Sequence, residues 1–254
     1  MLLYKSWLET RWRFTIGFFV LAGSAAALVL LWPKTLQLLP LADSLDIRGE
    51  MGRRIKEAVD VQRSFRGYIW SKGFAQNLTS MITLFAVLLG TGGLLSSASR
   101  SALFTLSLPV TRNRIAWVCA ATGLAELLAL AFASAVSIAS LAPSVGENYA
   151  YSDALIHGVC LFSAAAVFFG LAALLSTVFG DFWRPLAIAL AIAVGIGLLE
   201  LASGGLAGFG VFHLMSGEAW FRHRQFPWAG IAASLAAAGV LLWSAALLTA
   251  RRDF

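Results

Sequence analysis

The residues of this chain whose types could do chemistry are few and scattered. Glu126 and Glu200 are acids inside long apolar runs; His157, His213 and His223 share no spacing; Cys119 and Cys160 each stand alone among apolar neighbours. A zinc hydrolase would need a His-Glu-x-x-His pair, a nucleotide hydrolase a glycine loop ending in Gly-Lys-Ser/Thr, and an acyl-transfer enzyme a nucleophile elbow. The sequence has none of them. Gly90-Thr-Gly-Gly93 lacks the lysine of a phosphate loop and reads as close helix packing or a kink. The cysteines read as small buried hydrophobes, and the lone histidines as solvated or capping groups. No catalytic set is expected, and no metal or cofactor site.

Glu126 is the one acid placed where chemistry is plausible. It lies roughly 18 Å along a helix from Arg114, near the middle of a bilayer. An acid there costs at least about 2.5 kcal/mol and must face protein or water. Two readings stay open: a pathway residue that contacts substrate or a coupling ion, or a protonated or hydrogen-bonded glutamate that locks helices together. Glu200 falls at the far interface and is read as structural.

The elements that position these residues follow from composition. Hydrophobic residues make up 59% of the 254 and charged ones 13%, about half the soluble average of roughly 25%. Six apolar runs reach the length of about 17–25 residues that crosses a bilayer, over 14–32, 76–95, 115–141, 154–178, 183–201 and 228–250. Ala22-Gly-Ser-Ala25 mimics a cleavage site, but the run continues to Trp32, so 14–32 is expected as a retained first span. Residues 1–13 place Leu3, Trp7 and Phe14 at helical spacing and read as an interfacial helix. Pro33 is expected to stop the first span. Residues 33–75 form the one sizeable polar region, with Phe65, Tyr68, Trp70 and Phe74 returning the chain to headgroup level. Gly180-Asp181 reads as a tight turn, and 202–227, glycine-rich and aromatic, as a re-entrant or interfacial pair of short helices. The expected fold is an all-α membrane protein of one domain, 1–254. The net charge of +6 does not indicate nucleic acid, because no soluble basic face exists to bind it.

One link differs from an ordinary turn. Ser96 to Arg114, SSASRSALFTLSLPVTRNR, is polar-capped, apolar-centred and basic at both ends. Apolar residues on a water-exposed link suggest a partner that packs on them, and Arg100, Arg112 and Arg114 frame Phe104, Leu106, Leu108 and Val110 with positive charge. Ser101 can cap a short helix and Pro109 can stop it, over about 101–108.

Ser107-Leu-Pro-Val-Thr-Arg-Asn-Arg114, reached through Gly92-Gly-Leu-Leu95 and Ala102-Leu-Phe-Thr-Leu106, resembles the signature of ABC-2 type ABC transporter permeases. Leu175-Ser-Thr-Val-Phe-Gly-Asp-Phe-Trp-Arg-Pro185 is similar to that family's turn between spans four and five. The chain departs from the pattern in carrying Ser99-Arg100-Ser101-Ala102 where many relatives have an acid and a Gly-Thr pair. The resemblance implies a transmembrane permease subunit, an exporter. Its coupling helix, with Arg100, Phe104, Leu106, Leu108, Pro109, Arg112 and Arg114, would seat in a groove of a separate ATPase subunit. ATP and magnesium would belong to that ATPase, and none to this chain. A second copy or a sister permease, and the lipid bilayer, would be the other partners. The implied location is a multi-pass position in a cell membrane, the cytoplasmic one of a bacterium, with the 96–114 link, the Asp181 turn and both termini inside. A self-sufficient secondary transporter or a non-transporting membrane scaffold is the alternative. The first should show internal repeats and interrupted spans with ionisable residues near the midplane.

Overall fold

A computed structural model describes residues 2–43, 59–91, 111–203 and 210–251. Among them no strand occurs, and six helices are long and apolar enough to cross a membrane. In chain order the helices are α1 (Leu2–Asp43), α2 (Phe65–Gly90), α3 (Arg112–Leu141), α4 (Tyr151–Val178), α5 (Trp183–Ser203), two short ones, α6 (Val211–Ser216) and α7 (Glu218–His223), and finally α8 (Trp228–Arg251). The protein is an all-α membrane protein.

α4 is the central rod. It packs on α2, α3 and α8, and on the short helix α6. Its buried face is made of small residues and phenylalanines, among them Ala164, Ala165, Phe168, Phe169 and Ala172. Small residues let backbones approach where lipid offers no hydrophobic drive between helices. Gly170 shows the closeness: a Cβ there would lie 3.1 Å from Leu241 Cβ and 3.2 Å from the Ala238 carbonyl on α8. Gly90 meets α4 in the same way, where a Cβ would come within 2.9 Å of Ala172 Cβ. The packing role expected of that glycine is therefore real; Gly92 and Gly93 lie outside the described residues. α1 lies along α3 and α2, and α5 is the least buried of the six.

Two expectations for the first half are corrected. Residues 1–13 are not a separate interfacial helix: Leu2–Asp43 is one helix of 42 residues, continuing past Pro33. At 1.5 Å per residue it is about 60 Å long, twice a hydrocarbon core. No glycine, proline or cap breaks it between Trp7 and Phe14, and Thr10 and Arg13 find partners in the bundle. Phe65, Tyr68, Trp70 and Phe74 do not lie ahead of the second span but belong to its first turns. They are buried, because the second span begins at Phe65, where Ser64 caps the helix by accepting from the Gly67 N–H at 3.1 Å. Its turns widen to a π-helix over Ile69–Asn77. The Thr79 hydroxyl donates to the Phe74 carbonyl five residues back, which satisfies a group that the wide turns release.

α6 and α7 meet at Gly217, whose φ of +64° ends one helix and starts the next. The Glu200 carboxylate on α5 accepts the backbone N–H of Phe212 and of His213 at 3.1–3.2 Å, capping α6. The Phe212 ring reaches Phe168 in the middle of α4, with centroids 5.4 Å apart. The pair thus packs into the bundle at the end where α4 begins, two short helices as expected of the re-entrant or interfacial stretch 202–227, of which 204–209 lie outside the described residues.

Candidate functional site

Two polar clusters lie at opposite ends of the bundle. The first is at the end where α2 runs into residues 92–110. Arg13 of α1 donates through Nη1 to the carbonyls of Leu88, at 3.0 Å, and Thr91, at 2.5 Å. Leu88 is in the last turn of α2 and Thr91 is the residue that ends it, where carbonyls have no further helical turn to accept from, and a cation there also favours the helix dipole. The same guanidinium stands 4.8 Å from the ring centroid of Phe182, in the turn between α4 and α5. One turn back on α1, the Thr10 hydroxyl donates to Glu126 Oε1 at 2.6 Å. Glu126 is buried on α3, and its Oε2 has no hydrogen-bond partner. Arg13, Thr10 and Glu126 thus join α1, α2, α3 and the α4–α5 turn.

Of the residues predicted for coupling, Arg100, Phe104, Leu106, Leu108 and Pro109 lie outside the described residues. Arg112 is the first residue of α3 and Arg114 is exposed one position before the buried Ile115. Glu126 is on the same helix but about 18 Å further along it, so the fold does not bring Glu126 together with those arginines. Asp181 is exposed and pairs with Arg184 at 3.4 Å.

The second cluster was not expected. Asp153 and His157 fall four residues apart in the first turns of α4 and so share a face, and Tyr149 stands in the extended backbone just before that helix. Asp153 is 4% exposed; its Oδ1 accepts from Arg224 Nη1 at 2.7 Å and Trp220 Nε1 at 3.1 Å, and its Oδ2 lies 3.2 Å from Arg66 Nε. Arg66 comes from the first turn of α2, and Trp220 and Arg224 from α7 and the residue that ends it. Rings set the guanidinium planes: Arg66 over Phe221 at 5.2 Å and Arg224 over Trp220 at 5.3 Å. Trp70 stacks on Phe221 at 4.4 Å and donates its Nε1 to the Ser216 carbonyl at 3.0 Å, which closes the floor against α6. Burial, and the nearby Asp153 charge, push the Tyr149 phenol above its usual range, so it stays a neutral hydroxyl.

The histidine expectation needs correction. His157 is fully buried, stacked on Phe74 at 4.3 Å and covered by Gly217, where a Cβ would collide with the imidazole. It is neither solvated nor a cap, because α6 and α7 fold back over it. His213 pairs through Nδ1 with Glu218 at 3.1 Å, and His223 is exposed. Cys160 is buried and Cys119 half-buried. The signal for the second cluster was present as the i, i+4 spacing of Asp153 and His157, but nothing local pointed to Arg66 or Arg224.

Chemically, the first cluster can tie helix movements to one another, and the second can hold charge in a desolvated place. Among the described residues no three of His, Cys, Asp and Glu gather in a metal-binding group. Compared with protein-family models, curated proteins and solved structures, the chain matches none.

Proposed function

We propose that this chain is the membrane-spanning subunit of an ABC transporter of the ABC-2 type, an exporter permease driven by separate ATPase subunits. Six spans in one bundle fit a transporter-like membrane protein. The observation that carries the finer reading is the position of Arg13. Its guanidinium bonds Thr91, where the chain enters the basic-apolar link, and contacts Phe182, within the second stretch that resembles the family. One side chain thus joins the residue just before the first resembling stretch to the second stretch. Force on the link would pass through that contact to α1 and to the α4–α5 turn. The link, the Asp181 turn and both termini are then cytoplasmic, in the cytoplasmic membrane of a bacterium. The partners are ABC ATPases, which hold ATP and magnesium, and a second copy or sister permease. Glu126 is the one feature that favours ATP-independent secondary transport instead, as an acid with an unpartnered oxygen inside the bundle.

The test is co-purification of the tagged chain with a co-expressed ABC ATPase, read with ATP turnover of the reconstituted complex. Replacement of Phe104, Leu106 and Leu108 together by serine should abolish both complex yield and coupled turnover. Full yield and normal turnover in that triple variant would end the permease reading of the segment.

A further inference from the structure

The cluster around Asp153 holds more donors than its own acceptors satisfy. Arg66 and Arg224 bring two positive charges against one negative charge on Asp153, and both Asp153 oxygens already face partners. The buried Nη2 of Arg66, the Tyr149 hydroxyl and both ring nitrogens of His157 have no hydrogen-bond partner. Tyr149 is 7% exposed and His157 0%, so neither reaches bulk water. The Tyr149 ring packs against Phe65, the chain neighbour of Arg66, at 6.3 Å, and His157 lies one helical turn from Asp153, so these groups surround the same carboxylate. A buried polar group left unmade costs about 1–3 kcal/mol, and several in one place call for a ligand that accepts hydrogen bonds.

The balance of charge selects the ligand class. A cation would be repelled by two guanidiniums, and a neutral group would leave the excess positive charge uncompensated. A tetrahedral oxyanion offers acceptors to more than one donor at once and matches the planar fork of arginine. The cluster lies near the surface of the bundle, since the side chains of Arg224 and Arg66 are 55% and 31% exposed while Asp153 beneath them is 6% exposed. Arg224 holds a φ of +54°, the only positive φ of a non-glycine residue among those described, and this turns it back over Asp153. Trp32, Trp70 and Trp220 are at the same end of the bundle, the indole-rich level at which phospholipid headgroups lie.

We propose that Arg66, Arg224 and Tyr149 form a binding site for one phosphate-type oxyanion, presented by a phospholipid headgroup or as free phosphate. Asp153 holds the two arginines in place, and His157 lies beneath as the floor. The site is independent of the ATPase-coupling reading and stands or falls by binding alone.

The full chain, purified in detergent, is tested with two probes. Inorganic phosphate is compared with chloride at equal ionic strength by thermal unfolding. Retention of dioleoyl phosphatidylglycerol is compared with that of a phosphate-free galactolipid by native mass spectrometry. Saturable preference for phosphate alone assigns the free ion, and preference for the phospholipid alone assigns the headgroup; either supports the site. Tyr149→Phe should weaken binding about three- to tenfold, and Arg66→Gln about tenfold or more. No preference for either phosphate-bearing probe, or wild-type binding in both variants, overturns the proposal. If Arg66→Gln fails to fold, Tyr149→Phe decides, because it removes only the hydroxyl from a ring that still packs on Phe65.

Discussion

The Thr10 hydroxyl donates to Glu126 Oε1 across 2.6 Å and so joins the first helix of the bundle to the third. The Ser6 carbonyl lies 3.2 Å from the same hydroxyl and shares its single proton, with the shorter contact going to Glu126. This contact gives Glu126 a structural duty whether or not it also lines a pathway. Thr10→Val should lower stability by about 1 kcal/mol, the net value of one such bond. Glu126→Gln keeps an acceptor for Thr10 and should leave the thermal midpoint near wild type, whereas Glu126→Ala should lower it clearly. Thermal unfolding in detergent reads all three. Reduced transport by Glu126→Gln at unchanged stability would assign the pathway role, and unchanged transport would leave the carboxyl as a helix lock.

Arg13 is the heavier contact at that end. Its bonds to Leu88 and Thr91 are charge-assisted and close the end of α2. Arg13→Met keeps much of the apolar stem but leaves those carbonyls without the guanidinium. The expected loss is about 1.5–3 kcal/mol, reduced to the extent that water replaces the donor. Under the permease reading the same variant should uncouple ATP turnover from transport more than it weakens ATPase binding. Equal losses of both would mean that Arg13 serves folding only.

Gly217 is a third test, because two independent constraints meet there. Its φ is +64°, and a Cβ would enter the space of the His157 ring. Gly217→Ala should therefore cost about 1–3 kcal/mol through strain and displacement of His157. His157→Ala in the same chain should recover part of that loss, since it removes the obstacle while the φ strain remains. Additive losses in the double variant would mean that the two residues are not in contact.

The long apolar helices were legible in the sequence because bilayer thickness fixes a length, and 115–141, 154–178, 183–201 and 228–250 differ from the observed helices by only a few residues at their ends. The second span was misplaced for a physical reason. Its first turns carry Arg66, Ser71, Lys72, Gln76 and Asn77 among the aromatics, and its best window has a mean hydropathy of 1.4, the lowest of the six. Two of those polar groups are matched by partners distant in sequence: Asn77 Nδ2 donates to Ser24 at 2.8 Å, and Arg66 meets Asp153. A basic residue near a span end looks the same in sequence whether it faces headgroups or, like Arg13, turns inward to cap another helix. Only the tertiary contact tells the two apart. The clusters were therefore hidden, although Glu126 was singled out correctly as an acid that must face protein or water.

Orientation can be read without any partner. Arg184 is 74% exposed by side chain beside the Asp181 turn, and Arg222 is 54% exposed on α7 at the other end. In otherwise cysteine-free protein, Arg184→Cys should react with a membrane-impermeant thiol reagent only after the cytoplasmic side is opened, and Arg222→Cys in intact cells. The reverse pattern would turn the bundle over and place the 96–114 link outside, away from any ATPase.

The last prediction concerns the charges that flank the link. Arg114 is exposed at the start of α3, and Arg112 opens the same helix. Positive side chains at the first turn oppose the helix dipole, so they are not there to stabilise α3 itself. Under the permease reading they meet acids or phosphates at the rim of a docking groove. Exposed rim charges act on the encounter rate more than on the depth of binding, and salt screens them within about 8 Å at physiological ionic strength. Arg112→Glu with Arg114→Glu should therefore slow association with the ATPase at low salt, by about tenfold or more, and the deficit should shrink as salt rises. Phe104→Ala should instead speed dissociation at all salt concentrations, with a loss on the order of 2 kcal/mol expected of a buried aromatic anchor. Association and dissociation followed by surface-immobilised permease separate the two effects. A charge-reversed variant that associates at the wild-type rate across the salt series would remove both arginines from the docking surface.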